Sequence, residues 1–379
     1  KRQMDVQNNL FMMNSNNQSN TRKFEGEAIA PVIPSLQAAY VINDKWSVSA
    51  QFAVGGGGGE CEFAEGLPMF EELVGGQLAG AQANSYGLSQ NLTGKQFIYG
   101  FQVGAAYRLT DNFSVFGGAR GVLANCAYEG AISNITANGV AAGSYLSGVK
   151  AMVDAGLAQL EPVKDLAGYK EQYQQLAAQS AALAQGAALL GSDFNLDCAQ
   201  SGFGITPIIG LDWNLGKLNL AAKYEFRTKI NLENDSENTS ANVTALMPAY
   251  ADGAKVRSDI PAILTLGAQY QFTDAVRVMG GFHYYWDKDA KGTPIKKGDN
   301  TWEANLGIEW DVNDKILLSL GGQRTQYGFD DADMADTNFN ISSTAICLGG
   351  AYKFSEKMKL NVGYMHSFYD DHKFTNANG

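Results

Sequence analysis

The chain has 379 residues, a formal charge of −11, 11% aromatic residues, and 43 Gly against only 8 Pro. That acidity argues against nucleic acid as a partner, because a phosphate backbone selects a basic surface, and no run of about 18 apolar residues is present to build a transmembrane helix. A membrane β-barrel stays open, since strands that alternate lipid-facing and water-facing side chains average to a polar composition.

Residues 1–13 predict most of a first strand. No secretory leader precedes Lys1, so the numbering is expected to begin inside a longer precursor. Further along, apolar residues recur with period two, the mark of strands with one greasy face. Trp46, Val48, Ala50 and Phe52 form one outward set. Phe97, Tyr99, Phe101, Val103, Ala105 and Tyr107 form a second, and Phe203, Ile205, Pro207, Ile209, Leu211 and Trp213 a third. The stretch from Trp302 shows the pattern best: Trp302, Ala304, Leu306, Ile308 and Trp310 share one face, and Glu303, Asn305, Gly307 and Glu309 the other. Aromatic residues at both ends of a greasy face are what the two interfaces of a bilayer select. A soluble sandwich also alternates, but it hides its greasy face and does not collect aromatics at the turns.

Six short turns join these strands, as YVINDKW, YRLTDNF, WNLGKL, YQFTDAV, WDVNDKI and YKFSEKM. Between them lie longer connections, at residues 14–24, 55–95, 130–193, 231–259, 286–300 and 327–338, read as polar loops. Short turns at one end and long loops at the other predict an all-β, antiparallel transmembrane barrel in the outer membrane, with its short turns toward the periplasm. Twelve strands plus partial ones at the ends lead to about fourteen, by the even count of such barrels. The closing strand is expected beyond Gly379, because an open edge in lipid leaves backbone groups unpaired. Residues 1–379 are expected to form one barrel, with 144–190 as a helical extracellular insertion.

Four segments, KFEGEAIAPVIPSLQAAY, KQFIYGFQVGAAYRLTDNFSVFGGAR, GFGITPIIGLDW and SDIPAILTLGAQYQFTD, resemble the FadL-type outer-membrane transporters in their Bacteroidetes-like form. The resemblance runs from about residue 24 to the C-terminus. It implies a fourteen-stranded barrel plugged by an N-terminal hatch that passively takes up long-chain fatty acids or similar hydrophobic compounds. The hatch and its Asn-Pro-Ala type residues are not in the numbered sequence, so its ligand contacts do not carry over.

Three stretches carry functional expectations. Gly55, Gly56, Gly57, Gly58 and Gly59 fall in the third strand, the one whose kink opens the wall sideways in the family that the chain resembles. The other reading is a flexible start to a long loop. Within 144–190, Leu146, Val149, Val153, Leu157 and Leu160 recur at helical spacing before Pro162, and Leu166, Tyr169, Tyr173, Leu176, Leu183 and Leu190 continue after it. Two amphipathic helices follow, packed on each other as a cap or, by the resemblance, offering a groove for substrate capture. Of the inward charges, Arg120 and Arg277 are the candidates to hold a substrate carboxylate, although lumen charges ordinarily pair with one another.

Cys61, Cys126, Cys198 and Cys347 have no metal-ligand spacing, and His283, His366 and His372 are scattered, so no metal or cofactor is expected. Cys126 and Cys198 flank the helical loop and either form a disulfide or stay free. No nucleophile, base and orienting group converge, which predicts no enzyme. The expected partners are membrane lipid and a hydrophobic small molecule such as a fatty acid. The rival classes are a surface barrel that displays loops to a protein partner, and a general porin.

Overall fold

The computed structural model describes residues 2–30 and 32–375. In chain order the elements begin with β1 (Arg2–Gln7), β2 (Thr21–Ile29), β3 (Ser35–Val41), β4 (Trp46–Phe63), α1 (Pro68–Gly80), β5 (Tyr86–Thr110) and β6 (Phe113–Ala137). A stub, β7 (Val140–Ala141), leads into α2 (Ala142–Leu160) and α3 (Lys170–Leu190). There follow β8 (Phe194–Leu215), β9 (Leu218–Glu225), β10 (Asn231–Asp235), α4 (Ala241–Leu246), β11 (Lys255–Arg257) and β12 (Ile263–Gln271). The chain continues through β13 (Val276–Tyr285), β14 (Trp302–Asp311), β15 (Ile316–Gln326), β16 (Ser343–Ser355) and β17 (Met358–Tyr369).

All the named strands belong to one antiparallel sheet of 17 segments. Three wall strands are interrupted, as β2/β3, β9/β10 and β11/β12. Joining these and setting β7 aside leaves thirteen wall strands among the described residues. No ladder links β17 to β1 or β3 there, so closure of the barrel is not seen among the described residues. The sheet nevertheless curls round: at the extracellular rim Arg2 donates to Asn340 Oδ1 at 3.4 Å and lies over the Phe339 ring.

All six short turns stand where their sequences place them, and side-chain acceptors close them. Asn43 Oδ1 accepts from the backbone of Lys45 and Trp46, both at 2.9 Å, and Asn313 Oδ1 does the same for Lys315 and Ile316 at 2.9 and 3.0 Å. This is the Asx geometry that makes Asn and Asp turn formers.

The register keeps every greasy face on one side. Trp46 pairs with Tyr107, Ile308 with both Val278 and Leu320, and Leu348 with both Leu320 and Tyr364. Leu306 is 64% exposed and Val362 65%, far from what a water-facing core would leave bare. Aromatic pairs mark the two rims of this band. Trp46 and Tyr107 (4.7 Å between centroids) and Tyr352 and Phe354 (4.8 Å) lie at the turn end, and Tyr224, Phe226, Tyr284 and Trp286 cluster at the other. An apolar band between two aromatic belts is the outside of a membrane barrel.

The structure corrects several boundaries. Residues 55–95, 130–193 and 231–259 are not plain polar loops: β4 runs on to Phe63, β5 starts at Tyr86, β6 reaches Ala137, and β10, α4 and β11 lie within the third. Backbone pairing continues above the lipid, where no greasy face is required and the period-two signal fades. The first strand ends at Gln7, and a 3-10 turn, Asn9–Met13, takes its place; Lys1 lies outside the described residues.

β9/β10 and β11/β12 also fold inward where they are interrupted. A Cβ on the inner face of β8 would lie 2.7 Å from Asn231 O at Gly202, and 2.6 Å from Thr228 Cγ2 at Gly204. Only glycine lets the neighbouring backbone cross so closely. Pro207 has no N–H to continue the ladder on that side, although its carbonyl still accepts from Phe226 N at 3.0 Å. The displaced segment puts Ile230 and Leu232 against Val122, Ala124 and Cys126, narrowing the lumen.

Candidate functional site

Helix α1, inside the connection 55–95 expected to be a loop, organises the extracellular end of the barrel. Pro68 stands in its first turn, and Asp336, from the loop before β16, caps it by accepting from Met69 N at 2.7 Å. Burial, with the Glu72 carboxylate nearby, pushes the Asp336 carboxyl above the usual range. One side of α1 carries Val74 and Leu78 into a core shared with Tyr86, Ile132, Leu146, Leu183 and Leu190, so the helix joins the barrel wall to the α2–α3 hairpin.

Glu71 fixes α1 in this position. Its side chain is fully buried and receives Asn14 Nδ2 at 3.0 Å, Tyr86 OH at 2.9 Å and Gln90 Nε2 at 3.1 Å, together with an ion pair from Arg22. A carboxylate can be held in such a place only when its lone pairs are met by donors and its charge by a cation. The four donors come from the segment after β1, from β2 and from β5, so one side chain ties α1 to three parts of the wall.

Beside α1 lies an apolar cavity of about 370 Å³. Met69, Phe70, Glu72 and Leu73 of α1 form one wall. Leu92 of β5, Gly130, Ala131 and Ile132 of β6, and Phe194 and Leu196 of β8 form the opposite one, and Val243, Leu246 and Met247 close the end at α4. Its size falls in the range of small-molecule sites, about 300–1,000 Å³, and its lining is apolar except for Glu72. The signal for α1 was present in the sequence, as a proline after Leu67 and apolar residues at 69, 70, 73, 74 and 78, inside a connection read as a loop.

None of the five α2 residues singled out from the sequence lines this cavity. Leu146 is buried in the α1 core, Val149 and Val153 pack partly against the same core, and Leu157 and Leu160 are half-buried further along α2. The two helices do pair, with Ser180 of α3 bonded to Asp154 of α2, and Tyr145 OH fastens α2 to Ala81 O at 3.1 Å.

The two candidate arginines point into the lumen, and protein carboxylates hold both. Arg120 makes two bonds to Glu225, at 2.7 and 3.1 Å, and two to Gln102 Oε1. Arg277 is held by Glu309 at 2.6 Å and Asp311 at 3.0 Å. A substrate carboxylate would have to displace these partners.

The glycine run is part of a strand and does not begin a loop. β4 stays paired with β5 through it, with irregular register at Val54/Gly56 and Gly57/Gly59, and Gly57 takes a positive φ of 64°. On the other side the partner is interrupted: Ile29 of β2 pairs with Glu60 and Ser35 of β3 with Ala53, so residues 54–59 have no ladder partner there among the described residues. This break begins eight residues beyond Trp46 of the belt, on the order of 20–25 Å for a tilted strand and so near the outer-leaflet interface.

Cys126 lies opposite Gln200 and Cys198 opposite Tyr128, a diagonal offset on the ladder, and all four cysteines are free thiols. No cluster of His, Cys, Asp and Glu that could hold a metal occurs among the described residues.

The family described as Gram-negative porin matches residues 204–372. A FadL homologue of Pseudomonas aeruginosa superposes with a TM-score of 0.56 at 13% identity, covering 92% of this chain and 71% of the other. The toluene transporter TodX of Pseudomonas putida gives a TM-score of 0.51 at 14% identity, covering 92% and 78%. Comparison with the curated proteins gives no match.

Proposed function

We propose that this chain, a FadL-type outer-membrane β-barrel by its fold, takes up hydrophobic compounds passively, binding them first in the cavity beside α1. The observation that carries this reading is the cavity itself: an apolar chamber at the extracellular end, walled by Met, Phe, Leu, Val and Ile and roofed by loop elements. Transfer of an apolar compound into it contributes roughly 25 cal/mol per Å² removed from water, so it needs no energy source and no chemistry. From there the compound passes to the lumen and leaves through the break beside the glycine run, where no backbone ladder among the described residues bars a sideways path.

Long-chain fatty acids and uncharged hydrophobic compounds both belong to this reading. A general porin fits less well, because the inward fold at Ile230 and Leu232 and the paired lumen charges narrow an aqueous path.

The test is to fill the cavity. Ile132→Trp should lower uptake of a radiolabelled hydrophobic compound by producing cells at least roughly tenfold, a loss of about 1.4 kcal/mol in binding. Heat-modifiable gel mobility reports whether the barrel is folded. Unchanged uptake by a folded Ile132→Trp barrel would remove the cavity from the route.

A further inference from the structure

The lining of the cavity beside α1 contains no Lys or Arg, and its one ionisable side chain is an acid, Glu72. Among the described residues a single donor reaches Glu72, Asn8 Nδ2 on Oε1 at 2.9 Å, which leaves Oε2 open as an acceptor. The one feature here that ordinarily welcomes an anion is the N-terminus of α1. It is already filled, by the Asp336 carboxyl on Met69 N. Arg22, a basic residue tied to α1, is committed to Glu71 and approaches Glu65 at 3.7 Å. A ligand carboxylate entering the cavity would meet the Glu72 carboxylate and no Lys or Arg in the lining, whereas a hydroxyl or ammonium would find an acceptor. Burial also raises the Asp336 carboxyl, and the Glu72 carboxylate adds to the shift.

We infer that the cavity selects amphiphiles whose polar end donates a hydrogen bond, such as a long-chain alcohol or amine, with Glu72 as the residue that reads this end, and that it discriminates against carboxylates such as fatty acids. The inference rests on the cavity being the capture site proposed above. Two unit charges a few ångströms apart near a protein surface interact by a few kcal/mol before screening, enough for a selectivity of roughly tenfold or more.

Three ligands of equal chain length test it: dodecanol, dodecylamine and dodecanoate, titrated by calorimetry against the full chain in nanodiscs, with the cavity-filled Ile132→Trp variant as the background for lipid partitioning. The alcohol and the amine should bind at least roughly tenfold more tightly than the carboxylate at neutral pH. Glu72→Gln should abolish the advantage of the amine while leaving the alcohol bound, because the amide keeps an acceptor and loses the charge. Dodecanoate binding as tightly as dodecanol would overturn the selectivity and leave capture intact. No ligand binding above the filled variant would overturn capture itself, and the selectivity with it.

Discussion

Replacing Glu71 by Leu keeps the volume roughly constant and removes the acceptor on which four donors converge. Asn14 is 2% exposed and Tyr86 1%, so neither finds water once the carboxylate is gone, and the Arg22 side chain, 17% exposed, loses its buried counter-charge. Removing one partner of a buried ion pair costs about 3–5 kcal/mol, and each stranded donor adds about 1–3 kcal/mol. The terms overlap, so the ion-pair figure is the working value. The ladder registers of β5 and β6 do not involve Glu71, so the cost falls on the docking of α1 and not on the barrel. At about 1.4 kcal/mol per decade, amide exchange of α1 should accelerate by roughly two to three and a half orders of magnitude while exchange in β14 and β15 stays put. Hydrogen exchange read by mass spectrometry on the folded protein gives both numbers. Glu71→Gln, which keeps an acceptor, should fall between. If α1 in Glu71→Leu exchanges within roughly threefold of the original, the carboxylate is not what holds the helix.

Gly57→Val places a Cβ 2.2 Å from Gln96 O at a φ of 64°, so the irregular register beside the wall break cannot persist unchanged; uptake should fall, while Gly55→Ala, whose nearest neighbour is 3.8 Å away, should not alter it. Arg120→Met should leave uptake of an uncharged compound within roughly twofold, because its guanidinium serves Glu225 and Gln102; a tenfold loss would make it a substrate contact. Asp336→Asn keeps the acceptor on Met69 N and removes a charge near Glu72. It should slow amide exchange in the first turn of α1 at neutral pH, and faster exchange would contradict the repulsion. Burial would raise the Asp333 carboxyl, but the backbone N–H groups of Gly298, Lys297, Lys296 and Asp330 outweigh it and hold the group below the usual carboxylate range. Its stabilising effect is therefore complete above the unfolded value of about 3.9 and is lost as pH falls through the lowered folded pKa. Exchange at residues 296–298, corrected for intrinsic rates, should rise below about pH 4, and a flat profile down to about pH 2 would refute the assignment.

The wall was legible residue by residue. The face of Trp302, Leu306 and Trp310 and its partner face at Leu318 and Leu320 read as lipid-facing because in lipid every second side chain must be apolar, which is a local constraint. The six turns were legible for the same reason, since each is closed by a side-chain acceptor within three residues, Asn43 and Asn313 in two of them. The α2–α3 hairpin was visible in its spacing and in the break at Pro162, but α3 starts only at Lys170, which leaves Leu166 and Tyr169, expected on the second helix, in the turn before it. What tertiary structure alone decided is where these parts meet. Glu71 reads in sequence as an ordinary surface glutamate of an unnoticed helix, and only its convergence with Arg22, Asn14, Tyr86 and Gln90 makes it the anchor of α1. The cavity draws Leu73, Ile132, Phe194 and Met247 from four elements, none of whose spacings signals a ligand. The glycine run was noticed as composition, yet its place in a paired strand beside an interrupted neighbour depends on the register of β2, β3 and β5. Lipid imposes a pattern on each strand separately and so writes the barrel into the sequence; a binding site is a coincidence of distant segments, set by pairing register and helix docking, and no local period records it.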